Sequence, residues 1–271
     1  CIACTRIMEQ LSAFILSKDS ETHLPEILNA LSTVSDEILI IESGITGKSE
    51  SFAGNFEKAR VIYKEFGNFR DQRTFATDCC MHDMVLFVDS DEIPDDNFLK
   101  SIHELKQSSF EHDAYTVSRK WNVLGKNVHC MYPVTSPDNP VKLFRKSRVS
   151  FSSSNLVHES PKGYRSVGRL GGSINHITMR TKEELKSKLE SYTNFASHDL
   201  ILKRKKVNRF NMLFSPVGAF FKWYFFRGGY KDGYIGLILG GYSYQYTLRK
   251  YLKAKKLLIN DSSPSDSKSI S

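Results

Sequence analysis

Met84-Val-Leu-Phe-Val-Asp-Ser-Asp-Glu92 is the stretch that decides how this chain is read. Five consecutive apolar residues are too few for a helix and fit a strand buried on both faces. The run stops abruptly at Asp89, Ser90, Asp91 and Glu92. Two carboxylates one residue apart on a strand point the same way, because strand side chains alternate. Such a pair suits a hard divalent cation, and equally suits an acidic turn that caps a helix starting near Pro94.

Working outward, Leu11–Leu16 is a similar apolar run ended by Ser17, Lys18 and Asp19. Leu24, Ile27, Leu28 and Leu31 recur at helical spacing within His23–Val34, and Glu37–Ile41 is a second apolar strand stopped by Glu42. A polar helix over Ser51–Ala59, a third strand over Val61–Glu65 and a helix over about 71–81 precede the fourth strand. Strands alternating with amphipathic helices predict an α/β fold, a doubly wound, mostly parallel sheet. Ligands bind beyond the carboxyl ends of such strands, which is where Ser17, Glu42, Asp89 and Asp91 fall.

From Ala114 to Arg148 the pattern turns to longer alternating β runs, and Thr181–Ile201 reads as a helix. The expected organisation is a catalytic domain over 1–200, a basic, aromatic helical extension over 201–260 and a disordered Ser/Asp tail over 261–271. The chain of 271 residues is 40% hydrophobic and 25% charged, a globular composition without repeats. Its net charge of +8 is concentrated: residues 201–260 hold thirteen Lys or Arg and a single acid, Asp232, so the remainder is net acidic. Ala219-Phe-Phe-Lys-Trp-Tyr-Phe-Phe-Arg227 mixes large rings with cations. That mixture suits an anionic membrane surface, or rings packed inward with only the cations exposed. No nucleic-acid motif is present, so nucleic acid is not an expected partner. No run approaches a transmembrane span, and the first residues lack a secretory layout. Five cysteines without a regular framework read as reduced structural thiols. The expected location is cytoplasmic, peripheral on the inner face of the membrane.

Taken in order, Ser17-Lys18-Asp19, Glu42-Ser43-Gly44, Gln72-Arg73-Thr74-Phe75-Ala76 and Val88-Asp89-Ser90-Asp91-Glu92 resemble the family-2 glycosyltransferases of the GT-A fold. They are most similar to the lipopolysaccharide core β-glucosyltransferases. That group typically carries a Thr-Lys-Asn-Glu loop, an Asp-Ser-Gly, a Gln-Lys-Asn-Phe-Ala and an Asp-Ala-Asp-Glu. Asn122-Val-Leu-Gly-Lys126, Val141-Lys-Leu-Phe-Arg-Lys146, Val157-His-Glu159 and Asp232-Gly233 extend the resemblance from about Leu11 to Tyr251.

The resemblance implies an inverting transfer of a sugar, glucose foremost, from a UDP-sugar to a lipid-linked or core oligosaccharide. It places Ser17, Lys18, Asp19 and Glu42 around the nucleoside and Gln72 and Arg73 along the donor. Asp89 falls by the ribose and metal, and Asp91 on a bound Mg2+ or Mn2+. Asp19-Ser20 replaces the usual Asn-Glu, and Glu42 replaces the usual Asp, which loosens the nucleotide assignment. Glu159 is the candidate base for the acceptor hydroxyl, with His158 beside it, unless the two are a surface polar pair. His176, flanked by Ile174 and Ile177, is either a further metal ligand or a core histidine with its hydrogen bond satisfied. Lys142 and Arg145 alternate with apolar neighbours and could meet an anion or face water. Two rival readings stand: a nucleotidyltransferase that makes nucleotide-sugars, and a catalytically inactive glycan-binding relative. The first wants a Gly-rich phosphate loop after strand one, and Ser17-Lys-Asp-Ser20 has no glycine.

Overall fold

The computed structural model describes residues 8–18, 22–45, 47–151 and 160–261. Asp19, His158, Glu159 and the tail beyond Asp261 therefore lie outside the described residues.

The chain's contacts fall into two units, residues 1–120 with 137–177, and residues 121–136 with 178–271. The first is the expected α/β layer structure. Strands β1 (Leu11–Ser17), β2 (Glu37–Glu42), β3 (Ala59–Tyr63) and β4 (Met84–Asp89) are separated by helices α1 (Leu24–Ser32), α2 (Lys48–Ala53) and α3 (Phe69–Cys79). After them in the chain come β5 (Glu92–Pro94), α4 (Asp96–Ser108), β6 (Ala114–Val123), β7 (Lys126–Asn127), β8 (Cys130–Met131), β9 (Val134–Thr135), β10 (Val141–Arg145) and β11 (Val167–Thr178), of which β7, β8 and β9 fall in the second unit. The main sheet runs β3-β2-β1-β4-β10-β6-β11-β5, with β7 paired to β6. β1 pairs in parallel with β2 and β4, and β2 with β3, whereas β10 runs antiparallel to β4.

Alternation along these strands builds two cores. Ala13, Ile15, Ile38, Ile40, Leu86 and Val88 turn to one face and pack on Ile27, Leu28 and Leu31 of α1 and Phe98 of α4. Phe14, Leu39, Val85 and Phe87 turn to the other, against Ala76 of α3. Strands buried on both faces read as unbroken apolar runs for this reason. Each fully buried Leu or Ile contributes about 1.5–3 kcal/mol, so helix packing on both faces dominates the stability of the layer.

Boundaries moved where local signals won. The polar helix expected at Ser51–Ala59 starts at Lys48 and stops at Ala53, because Gly54 ends it. β3 accordingly begins at Ala59, paired with Ile38, rather than at Val61. One glycine is indispensable: Gly172 in β11 has φ +69°, and a Cβ there would lie 2.2 Å from the backbone nitrogen of Phe98. Only glycine lets β11 pass this close to the start of α4.

The second unit is mainly helical, with α5 (Lys182–Leu202), α6 (Arg209–Phe221), a π-helical segment at Lys222–Phe226 and α7 (Gly233–Asp261). Its core gathers Val123, Val128, Met131, Leu189, Leu239 and Tyr242. Tyr132 packs edge-on against Trp223 at 5.3 Å. The aromatics of this segment divide: Trp223 and Tyr242 are buried, while Phe210, Phe214, Phe221 and Phe226 are exposed. No helix among the described residues is long and apolar enough to cross a membrane. Cys79, Cys80 and Cys130 are free thiols, and burial pushes Cys80 up to about 12, as expected of inert structural cysteines.

Candidate active site

Parallel register fixes the site. Ser17 lies opposite Glu42, and Leu16 opposite Asp89, so β1, β2 and β4 deliver their terminal residues to one edge. Just beyond that edge the chain turns into β5, which pairs antiparallel with β11 and sets His176 opposite Glu92. The carboxylates after strand four thereby meet a histidine that is 84 residues further along the chain than Glu92.

Each group then has a defined neighbour. Asp91 Oδ2 lies 3.2 Å from His176 Nε2, and the Asp91 carbonyl accepts from the Ile177 N–H at 2.8 Å. Asp89 faces two cations, Lys142 Nζ at 3.3 Å and an Arg73 Nη2 at 3.6 Å. Glu92 is fully buried and accepts from Lys142 Nζ at 2.5 Å, from Arg119 Nη1 at 2.9 Å and from the Asp89 N–H at 3.0 Å. Arg119 in turn forks onto both oxygens of Asp138, at 3.0 and 2.6 Å. Phe87 floors the cluster, with Lys142 Nζ 4.0 Å and the Arg73 guanidinium 5.3 Å from its ring centroid.

The helix cap that competed for the acidic cluster is supplied by a different residue. Asp95 accepts from the Phe98 N–H at 2.9 Å and from the Ser173 hydroxyl at 2.6 Å. Asp91 is left to His176.

Ser17 Oγ is buried and has no hydrogen-bond partner among the described residues. Glu42 is buried with one oxygen accepting from the Gly44 N–H at 2.6 Å and the other from the Ser49 hydroxyl at 2.5 Å. These bonds hold the loop after β2 in shape. Gln72 donates to the carbonyls of Lys64 and Glu65, at 3.2 and 2.9 Å, which ties down the loop after β3. Lys18 is exposed at the end of β1.

The two strand cations noted in β10 separate. Lys142 turns into the site and is 1% exposed, while Arg145 turns away to Glu9 and Asp83. Among the described residues no three His, Cys, Asp or Glu side chains converge to hold a metal unaided. Asp91 and His176 nevertheless fit one. Ligand atoms on adjacent corners of a six-coordinate Mg2+ stand about 3 Å apart, given bonds of roughly 2.1 Å. Such a cation ordinarily takes one or two protein ligands and completes its shell from phosphate oxygens and water.

The chain is 25% identical over 271 residues to an uncharacterized glycosyltransferase of Rickettsia conorii, covering 94% of this chain and 95% of that one. It is 24% identical to an uncharacterized glycosyltransferase of Rickettsia felis, over 92% and 90% of the two chains. By sequence, this chain is similar to proteins named as glycosyltransferases. No family model matches it. Among solved structures, S. aureus TarS 1–349 in complex with UDP aligns over 95% of this chain and 94% of its own, at 13% identity and a TM-score of 0.49. A second S. aureus TarS structure aligns over 71% of this chain and 40% of its own, at 16% identity and a TM-score of 0.47.

Of the residues expected at this glycosyltransferase-like site, Ser17, Glu42, Asp89, Asp91, Arg73 and His176 line the same strand-end region or its neighbours. Glu159 and Asp19 fall outside the described residues. Arg119 and Asp138 escaped the sequence reading. Their signal is weak, since a charged residue in an alternating strand ordinarily faces water.

Burial by itself would raise the Asp89 carboxyl, but Lys142, Arg73, His176 and Arg119 outweigh it and hold the group well below the usual carboxylate range. A folded value below the unfolded one adds stability above the unfolded value, and that contribution is lost as pH falls through the folded one. Urea unfolding of wild type and Asp89→Asn is therefore expected to show a stability gap that is widest near pH ~7 and narrows toward pH ~3. A gap that stays constant would contradict this ionic role.

Proposed function

We infer that this protein transfers a sugar from a nucleotide-sugar to a hydroxyl of a lipid-linked or core oligosaccharide, with inversion. What carries the reading is one juxtaposition: the ends of β1, β2 and β4 share an edge at which the Asp91–His176 pair stands beside buried Lys142 and Arg73. The motif resemblance supports a UDP-sugar, with glucose the foremost sugar.

In this reading Ser17 and Glu42 meet the nucleoside together with Lys18 and Asp19, and Asp89 meets the ribose, oriented by Lys142 and Arg73. Gln72 shapes the donor pocket by fixing the loop after β3. Asp91 and His176 would hold Mg2+ or Mn2+, which when bound supplies positive charge for the departing diphosphate. The need for it follows from the charges present. Arg73, Lys142 and Arg119 are matched by Asp89, Glu92 and Asp138, so a diphosphate at this edge is best accommodated with a further cation. This separates the two aspartates of the motif: Asp91 goes to the metal, and Asp89 is turned to its lysine and arginine. Glu159 remains the proposed base for the acceptor hydroxyl.

A thermal-shift panel of nucleotide-sugars, with and without Mn2+, tests the donor assignment. Ligand at about 100 times its Kd adds about 2.7 kcal/mol, which raises the melting temperature by several degrees in a chain of this size. UDP-sugars should do so only with the metal. If the melting temperature is unmoved across the panel, the assignment fails. Product analysis separates the rivals, since transfer releases UDP and nucleotidyl transfer releases pyrophosphate.

A further inference from the structure

Helix α6 is built the wrong way round for a helix bathed in water. Its outward side carries Phe210, Leu213, Phe214, Val217 and Phe221, and Phe225 of the following π-helical segment continues the line. Phe210 is 66% and Leu213 64% exposed. The steps of three and four residues lay these side chains along one stripe. Between Phe210 and Phe221 there is no charged residue on any side of the helix. The rings also pack on each other: Phe210 and Phe214 lie tilted with centroids 4.5 Å apart, and Phe221 and Phe225 stack at 5.5 Å. Within α6 alone, from Phe210 to Phe221, the result is an exposed apolar ridge about 17 Å long, at 1.5 Å per residue. A contiguous apolar surface of this kind marks a contact face.

Charge identifies the face it meets. Arg204, Lys205, Lys206 and Arg209 stand exposed at one end of the ridge, and Lys222 and Arg227 at the other. No acid occurs anywhere from Lys203 to Arg227. A second copy of this chain, docked ridge to ridge, would bring these cations against their own kind. An anionic bilayer accepts both features at once: rings enter the boundary between headgroups and acyl chains, and the flanking cations meet lipid phosphates. The ridge is too short to span a bilayer, so the helix must lie in the surface plane.

We propose that α6, with its basic ends, is the membrane-docking element of this protein, lying flat on an anionic phospholipid surface. It rests on the functional reading above only in that a lipid-borne acceptor gives the docking its purpose.

The experiment is co-sedimentation of the full chain with vesicles of phosphatidylethanolamine and phosphatidylglycerol, and with vesicles of phosphatidylcholine alone. Binding is expected to the anionic vesicles and not to the zwitterionic ones. The triple variant F210S/F214S/F221S should bind about a hundredfold more weakly. Lys205→Glu with Lys206→Glu should weaken binding about tenfold or more. The substituted side chains are exposed, and circular dichroism and the wild-type response to UDP with Mn2+ report whether each variant is folded. Absence of binding to anionic vesicles overturns the proposal. So does binding that survives the triple variant, or a self-association that the triple variant abolishes while vesicle binding is nil. UDP protection is read separately on the same preparations, so a failed donor assignment leaves the vesicle result standing, and the reverse.

Discussion

Glu92→Ala is expected to lower the unfolding free energy by about 3–5 kcal/mol, the largest stability effect of any single change at the site. Glu92 has no exposed surface and takes hydrogen bonds from Lys142, from Arg119 and from the backbone of Asp89. Its removal leaves Lys142, which is 1% exposed, with Asp89 at 3.3 Å as its remaining counter-charge among the described residues. A typical domain holds about 5–15 kcal/mol, so this loss is a large fraction of the whole. Urea unfolding followed by far-UV circular dichroism, which reports the whole chain, measures it. A double variant, Glu92→Met with Lys142→Met, should recover part of the deficit, because two apolar side chains leave no buried charge unpaired. A Glu92→Ala loss under about 1 kcal/mol would mean that the cluster is far wetter than its geometry states.

Asp91→Asn is expected to have the largest effect on activity, a fall of about 10²–10³-fold in kcat with little change in stability. Asparagine is the same size and can still hydrogen-bond His176, but it has lost the charge that draws a divalent cation. The loss should be accompanied by disappearance of the Mn2+-dependent thermal shift with UDP-sugars. His176→Ala should weaken apparent metal affinity by about 10–100-fold while sparing more of the rate at saturating metal. Asp89→Asn is expected to raise KM for the donor instead, since Asp89, held by Lys142 and Arg73, is the residue proposed to meet the ribose. Should Asp91→Asn retain kcat within about threefold, catalysis does not depend on a cation at this carboxylate, and the mechanism inferred above is wrong.

Much of the fold was legible because it is written in short-range patterns. Leu11–Leu16, Glu37–Ile41 and Met84–Val88 are apolar runs of strand length, and burial on both faces leaves no other reading for them. The spacing of Leu24, Ile27, Leu28 and Leu31 likewise declared α1 and the face it buries. From these alone follow a parallel layer and a shared carboxyl edge at Ser17, Glu42 and Asp89, since strands that pair in parallel end together. The tertiary structure decided the partners. Asp91 meets His176, and Glu92 gathers Lys142 and Arg119, only because β5 pairs with β11 and β10 runs antiparallel to β4. Sequence separation hides such pairings: a lysine in an alternating strand has the same pattern whether its ammonium lies in water or 4.0 Å from the ring of Phe87. The ridge on α6 divides in the same way. Its stripe can be counted from the sequence, but an apolar stripe ordinarily faces a core, and only packing shows that this one faces outward.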